Sequence, residues 1–144
     1  MSRNLRVAIV GAGPAGVYAA DILTKAEKEG LDSVTVDIIE RDPTPFGLIR
    51  YGVAPDHPRI KEIVKALKRV MSNPAIRFFG NVSFGDDLKL EELRQFYDAV
   101  IFATGARRDR DLDIPGIDLE GSYGAADFVY WYDGSTNSVS LSLS

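Results

Sequence analysis

The sequence predicts an α/β fold in which short apolar strands alternate with helices and form a parallel sheet. Three observations lead to this prediction. An apolar strand at 6–10 runs into a glycine-rich segment at 11–16, a helical pattern begins at Val17, and a second apolar strand covers 33–40. This order is typical of a βαβ unit, whose crossover makes the two strands parallel.

The glycine-rich segment reads Gly-Ala-Gly-Pro-Ala-Gly and matches G-x-G-x-x-G between a strand and a helix. In that context the first glycine permits a tight turn, the second lets a pyrophosphate approach the backbone, and the third lets the helix pack closely on the strand. The helix N-terminus then offers N–H groups to phosphates, and a proline in its first turn costs little. The residues assigned to this site are Gly11, Gly13, Pro14, Ala15 and Gly16.

The second strand ends in an acidic residue, Glu40, which follows Gly16 by 24 positions. Roughly 20 positions are expected before the carboxylate that binds the ribose hydroxyls of a dinucleotide. The alternative is a glycine-rich turn in which Glu40 only ends a strand. The strand, turn and helix together with this spacing favour a Rossmann-like dinucleotide site.

Composition excludes several other classes of protein. The 144 residues suit a single domain, and although 45% are hydrophobic, no run approaches the roughly 20 apolar residues of a membrane span. Because the first strand starts almost at once, we expect no secretory leader. Zero cysteines, one histidine and a net charge of −4 argue against disulfides, a multi-histidine metal site and a nucleic-acid partner. We therefore expect a cytoplasmic protein without a transmembrane segment.

The connection at 41–58 contains four prolines and two glycines, which exclude a regular helix or central strand over most of it. Connections this long inside a compact domain are usually functional or disordered. Apolar residues such as Phe46, Leu48 and Ile49 argue against a solvated linker. We interpret the segment as a rigid loop packed on a flat cofactor, with a purely structural crossover as the alternative.

The remaining pattern predicts further helices and strands. The first helix is expected to end near Gly30. The last helix, at 125–132, is expected to lie in the core rather than to form an aromatic stacking platform. The other elements are an amphipathic helix at 59–72, a strand at 75–79 with a turn and short strand residues to 84, a helix at 88–97, a buried strand at 99–105 and an aromatic helix at 125–132.

Three segments together resemble the adrenodoxin-reductase type of ferredoxin–NADP⁺ reductase. They are the glycine-rich segment 11–16, Pro-Phe-Gly-Leu-Ile-Arg-Tyr-Gly-Val-Ala-Pro-Asp-His-Pro at 45–58, and Phe-Phe-Gly-Asn-Val at 78–82. The resemblance runs from about Leu5 to Gly134. Glutamate synthase small subunits share a similar opening and a shorter Gly-Leu-x-Arg-Tyr-Gly signature. The Ala-Pro-Asp-His-Pro continuation favours the ferredoxin reductases.

The resemblance implies a glutathione-reductase-like FAD domain, with FAD rather than NAD in the first nucleotide site. It places the glycine-rich loop along the pyrophosphate, Glu40 on the adenosine ribose, Leu48 on the flavin side and Val82 on the adenine side. The Ala-Thr-Gly turn after the 99–105 strand is similar to the second nucleotide-associated motif of such flavoproteins. The further cofactor-binding residues on this basis are Arg41, Gly47, Ala103, Thr104 and Gly105.

In the intact family, electrons pass from NADPH through FAD to a ferredoxin-like iron–sulfur protein. The resemblance places His57, the candidate catalytic residue, near the flavin and nicotinamide. His57 either stabilises or protonates the reduced flavin or anchors the local turn, and both readings stay open. Lys61, Lys65 and Lys68 form a basic stripe that could dock an acidic ferredoxin, although a solvated helix face is the simpler interpretation.

The family pattern stops at Gly134, and a Ser-rich segment follows at 135–144. No second glycine fingerprint appears, so we expect a partial FAD domain at 1–134 and an NADP(H) site that is absent here. We interpret 135–144 as a disordered or artificial tail, with a marginal edge strand as the alternative. Three hypotheses follow: an FAD-dependent reductase fragment, a non-catalytic nucleotide-binding module completed by another chain, and a non-functional remnant. The missing remainder of the reductase is a further possible partner.

Overall fold

The computed structural model describes residues 4–26, 33–51, 58–106, 109–110 and 112–134. In chain order its elements are β1 (Asn4–Val10), α1 (Pro14–Lys25), β2 (Ser33–Ile39), α2 (Leu48–Tyr51), α3 (Pro58–Met71), β3 (Ile76–Phe79), α4 (Leu90–Phe96), β4 (Ala99–Phe102) and α5 (Ala125–Tyr132). Within the described residues, the strands form a parallel sheet in the order β3-β2-β1-β4. The predicted α/β class with a parallel sheet is confirmed.

The two central strands place the glycine-rich loop beside Glu40. β1 and β2 are the most buried strands, and Ile9 and Ile38 are fully buried between the neighbouring layers. Their register pairs Val10 with Ile39, so both strands end at the same level. The Gly11 N–H then donates to the Ile39 carbonyl over 2.8 Å, which holds the start of the loop against the end of β2.

The two faces of the sheet are covered unequally. On one face α1 and α3 pack through apolar side chains that include Val17 and Leu67, both fully buried, and Phe46 joins this cluster. The other face has a smaller cluster, in which Leu93 of α4 covers Ala8 and Val10. Burial of each such side chain stabilises the fold by roughly 1.5–3 kcal/mol, so most of the core energy lies on the α1 and α3 face.

A buried carboxylate ties three strands together on the thinner face. Asp37 of β2 is 3% exposed and accepts two hydrogen bonds from Arg77, at 2.7 and 2.6 Å, and one from the Tyr97 hydroxyl at 2.7 Å. Burial alone would raise the pKa of Asp37, but these hydrogen bonds and the charges of Arg77 and Arg6 lower it. Burial and the Asp37 hydrogen bond and charge raise the pKa of Tyr97 to about 12. The network is satisfied when Asp37 is ionised and Tyr97 is neutral.

The predicted end of the first helix needs correction, whereas the proline-rich segment lacks a regular helix over most of its described residues, as expected. The first helix ends at Lys25 rather than near Gly30, because Ala26 has a ψ of 33° and leaves the helical conformation. The charged residues that follow in the sequence supply no apolar face to extend it. The proline-rich segment contains one helical turn, α2, in a stretch without proline. The boundaries of α3, β3 and α4 differ from the predicted ones by one or two residues.

The expected burial of the last strand and the last helix is wrong. β4 pairs with β1, and no strand in the described part of the chain flanks its other side, so Phe102 is 50% exposed. Each residue of α5 is exposed or half-buried, although an aromatic core helix was expected. The rings of α5 pack on one another instead, with the Phe128 centroid 5.9 Å from that of Trp131 and 6.2 Å from that of Tyr132.

Within the described ranges, no helix has the length and apolar character that a membrane span needs. The Ser-rich segment 135–144 and His57 lie outside the described residues.

Candidate functional site

A cavity of about 480 Å³ opens at the carboxyl edge of the sheet, where ligands of open α/β sheets bind. Its lining comes from the glycine-rich loop, the ends of β1, β2 and β4, the segment before and in α2, the turns that follow β3 and β4, and α5. The predicted site residues in this lining are Gly11, Gly13, Pro14, Ala15, Glu40, Arg41, Gly47, Leu48, Val82, Ala103, Thr104 and Gly105. Gly16 is buried behind the loop.

Two glycines of the loop are needed for its own packing. Gly11 has a φ of 110°, and a Cβ there would collide with the Ala103 carbonyl at the end of β4. A Cβ on Gly16 would collide with the Gly11 carbonyl and press on the Ile9 side chain. These contacts bring α1, β1 and the turn after β4 together, as the motif predicts for its first and third glycines.

Gly13 is different, because neither its conformation nor its surroundings require a glycine. Its φ of −68° and ψ of 178° suit any residue, and an added Cβ would meet no protein atom within 4 Å. Gly13 lines the cavity and caps the N-terminus of α1, whose first turn carries no acidic residue. A glycine in this position fits a phosphate that approaches the backbone and the positive end of the helix.

Glu40 holds the glycine-rich loop as well as facing the cavity. Its Oε2 accepts a hydrogen bond from the Ala12 N–H at 2.8 Å, and its Oε1 accepts one from the Asp42 N–H at 3.2 Å. A carboxylate has about four acceptor positions, so lone pairs remain for hydroxyl groups of a ligand. The sequence spacing predicted the ligand contact but not the bond to Ala12.

The segment before α2 is held against the same loop. The Phe46 N–H donates to the Ala12 carbonyl over 2.8 Å, and its own carbonyl accepts from the Ile49 N–H at 3.1 Å. Gly47 follows with a φ of 48°, and a Cβ there would touch the Gly13 Cα at 3.4 Å. Leu48 is then left half-exposed at the cavity wall.

The opposite wall comes from the turns after β3 and β4. The Val82 N–H donates to the Glu40 carbonyl at 3.0 Å, and the Ala103 N–H donates to the Val10 carbonyl at 2.8 Å. The Ala103 bond extends the pairing of β4 with β1 by one residue, and the Val82 bond holds the turn after β3 against the end of β2. They place the small Ala-Thr-Gly turn next to the glycine-rich loop, so a flat ligand has backbone on both sides.

Sequence reasoning missed part of the lining. Phe84 and Phe102 pack edge to face with their ring centroids 4.9 Å apart, and Tyr130 of α5 reaches the cavity beside Arg41 and Asp42. Burial raises the pKa of Tyr130; Arg41 opposes this, and Asp42 and Asp109 add to it. These residues lie far apart in the sequence and belong to no motif, so the sequence did not indicate that they line one cavity. The other unpredicted lining residues are Val10, Ile39, Asp42, Ser83, Asp86 and Ala106.

In the described part of the chain, histidine, cysteine and acidic side chains form no group that could hold a metal ion. The cavity combines the backbone of the glycine-rich loop with three acidic residues, Glu40, Asp42 and Asp86, with Arg41, and with a largely apolar wall. A glycine-rich turn at a helix N-terminus, a carboxylate at the end of the next strand and a parallel sheet define a dinucleotide-binding α/β protein.

The chain belongs to the pyridine nucleotide-disulphide oxidoreductase family, whose profile matches residues 5–131. It is 51% identical over 140 residues to the mitochondrial NADPH:adrenodoxin oxidoreductase of Arabidopsis thaliana, covering 97% of this chain and 28% of that protein. It is 53% identical over 133 residues to the NADPH-ferredoxin reductase FprA of Mycobacterium tuberculosis, covering 91% of this chain and 29% of that protein. The resemblance predicted from the sequence is confirmed.

Solved structures agree with this relationship. The structure of Mycobacterium tuberculosis FprA in complex with NADPH superposes with a TM-score of 0.87 at 50% identity, over 92% of this chain and 30% of that one. The chain therefore spans about 30% of the length of the relatives that it matches.

Proposed function

We propose that this chain is the FAD-binding part of an NADPH–ferredoxin oxidoreductase. The observation that carries the proposal is that nothing in the described part of the chain requires a glycine at position 13. A ligand group that approaches the backbone from the cavity explains why glycine is present there. The similarity to reductases named for NADPH, adrenodoxin and ferredoxin supports this class of reaction. FAD, when bound, supplies hydride acceptance and single-electron release.

The adenine half of FAD is assigned to the glycine-rich loop and β2. The Gly13 and Ala15 N–H groups lie at the start of α1, where N–H groups lack partners inside the helix, and would suit the pyrophosphate. Glu40 accepts from the adenosine ribose through its remaining lone pairs, Arg41 lies beside it, and the turn at Val82 borders the adenine.

The flavin half is assigned to the other end of the cavity. Gly47 and Leu48 on one wall and Ala103, Thr104 and Gly105 on the other would hold the ring between backbone and a half-exposed leucine. With FAD bound, this wall would exclude water from one face of the ring. His57 stays a predicted catalytic residue of this region.

The proposal extends to the organisation of the protein. Residues 1–134 would form part of the FAD domain, with the Ser-rich 135–144 outside it, and further polypeptide would supply the NADPH site. The exposed Phe102 and the aromatic side chains of α5 favour a covering segment on this side. A ferredoxin-like iron–sulfur protein would be the electron acceptor, and a cytoplasmic location stays a prediction, since some relatives are named as mitochondrial.

The experiment is an absorption spectrum of the chain after incubation with FAD and desalting. Retained flavin bands near one equivalent, lost in a Gly13→Val variant of unchanged circular dichroism, support the proposal. A colourless protein after desalting, together with an equilibrium titration that shows no FAD binding, overturns it.

A further inference from the structure

Phe46 has a backbone conformation that is rare for a bulky residue. Its φ is 92°, in the region that L side chains rarely adopt, while its ring is 2% exposed and belongs to the main apolar cluster. Such strain persists only where the surrounding structure over-determines it, and it is concentrated at functional sites.

The conformation lets Phe46 donate its N–H to the Ala12 carbonyl at 2.8 Å. In a planar trans peptide the C=O and the following N–H point in opposite directions. Ala12 and Phe46 are both buried and neither lines the cavity, whereas Gly13 does. Fixing the Ala12 carbonyl on the buried side therefore turns the Gly13 N–H toward the cavity.

The backbone at Ala12 is also held from a second direction. Glu40 accepts from the Ala12 N–H, so the peptides on both sides of the Ala12 Cα are fixed by hydrogen bonds from different segments. An accepted hydrogen bond also polarises the Ala12–Gly13 peptide and makes its N–H a better donor. The Phe46 bond thus affects both the direction and the strength of the Gly13 donor.

We propose that Phe46 is a positioning residue, whose left-handed backbone aims the Gly13 N–H at a diphosphate group in the cavity. This inference rests on the proposed nucleotide site and names the residue that orients its phosphate donor. The buried ring holds the strained conformation, and the Arg50 guanidinium lies 5.6 Å from the ring centroid while its Nε donates to the Pro45 carbonyl. The ring therefore packs against the core on one side and contacts Arg50 of α2 on the other.

The test compares Phe46→Gly with Phe46→Ala, because both remove the ring but only glycine adopts a positive φ without strain. Glycine relieves the backbone strain whatever the role of Phe46, so a purely structural role predicts that the two variants differ in stability but bind ADP equally once folded. The positioning role predicts that folded Phe46→Ala binds ADP more weakly than folded Phe46→Gly. Phe78→Ala, which removes another ring of the same cluster, is the matched control.

The first measurement is amide hydrogen exchange at residue 46 in the free protein, read by NMR. We expect exchange at least tenfold faster in Phe46→Ala than in Phe46→Gly, since the alanine variant abandons the bond to Ala12. Equal rates in the two variants, or slower exchange in the alanine variant, overturn the positioning role. If Phe46→Ala does not fold, Phe46→Leu replaces it, because leucine keeps the strain and loses the ring.

The second measurement is the affinity for ADP, followed by calorimetry and by the ³¹P shift of the bound diphosphate. Phe46→Ala should lose at least tenfold in affinity, Phe46→Gly should lose less, and Phe78→Ala should stay within twofold. ADP binding that is equal in wild type and Phe46→Ala overturns the inference but leaves the nucleotide site intact. No ADP or FAD binding by the wild-type chain overturns the proposed function itself.

Discussion

Replacing Glu40 with alanine should destabilise the protein even when no nucleotide is present. The change removes the 2.8 Å charge-assisted bond from the Ala12 N–H and the weaker 3.2 Å bond from the Asp42 N–H. Hydrogen bonds to charged groups contribute about 1.5–3 kcal/mol, and Ala12 is fully buried, so its N–H would lose its acceptor away from water. We expect the free energy of unfolding to fall by about 2–3 kcal/mol.

Urea denaturation of the nucleotide-free protein measures this loss. With a slope of about 1–3 kcal/mol per molar for a small domain, the midpoint should move by about 0.7–3 M. Glu40→Gln, which keeps an amide oxygen as acceptor, should lose about half as much. Glu91→Ala, which removes an exposed carboxylate from the first turn of α4, is the control and should change stability by less than about 1 kcal/mol.

Nucleotide affinity should change in parallel, because the ribose would lose its acceptor and the glycine-rich loop its support. A loss of about 1.5–3 kcal/mol corresponds to a 10- to 150-fold weaker binding of ADP. An unchanged urea midpoint in Glu40→Ala would show that Glu40 does not hold the loop. Unchanged affinity would show that it does not bind the ribose.

Three further predictions follow from the same structure. Gly13→Val should change the unfolding free energy by less than about 1 kcal/mol, since an added Cβ meets no protein atom, yet it should abolish FAD binding in a titration. Gly16→Val should instead unfold the protein, as seen by circular dichroism, because its side chain would collide with the Gly11 carbonyl. Asp37→Asn should lower stability at pH 7 by about 1–3 kcal/mol. Because the folded-state pKa of Asp37 is lowered, this contribution is present above the unfolded value near 3.9, and the wild-type advantage in urea melts should shrink as the pH falls below about 4; a constant difference from pH 7 to pH 2 would refute the assignment. A polypeptide of these 144 residues with FAD should reduce an artificial acceptor slowly and without saturation by NADPH, since it carries one glycine fingerprint; a micromolar KM would contradict this.

The sequence predicted those parts of the site that depend on local chain geometry. Gly11, Gly13 and Gly16 could be assigned individual roles because a strand, a turn and a helix in succession fix what each position must do. Glu40 followed from the length of a βαβ unit, which brings the ends of two parallel strands to one edge. Its bond to Ala12 could not be predicted, because it depends on the side-chain conformation in the folded protein.

Long-range contacts and burial were the parts that the sequence did not predict. Asp37 reads as a polar interruption of an apolar strand, and its partners Arg77 and Tyr97 lie 40 and 60 positions away. The apolar composition of β4 and α5 indicated burial, yet composition does not tell how many neighbours an element has. Tyr130 lines the cavity because of how α5 packs, and no sequence motif indicates that packing.

The most direct test of the account is an FAD titration of the 144-residue chain, followed by displacement with ADP. The glycine-rich loop and Glu40 lie within residues 11–40, so the account predicts saturable binding near one equivalent and full displacement by ADP. Riboflavin, which has the flavin ring but no adenine or pyrophosphate, should compete poorly. The absence of FAD binding, or binding that riboflavin displaces and ADP does not, would contradict the assignment of this cavity to a dinucleotide.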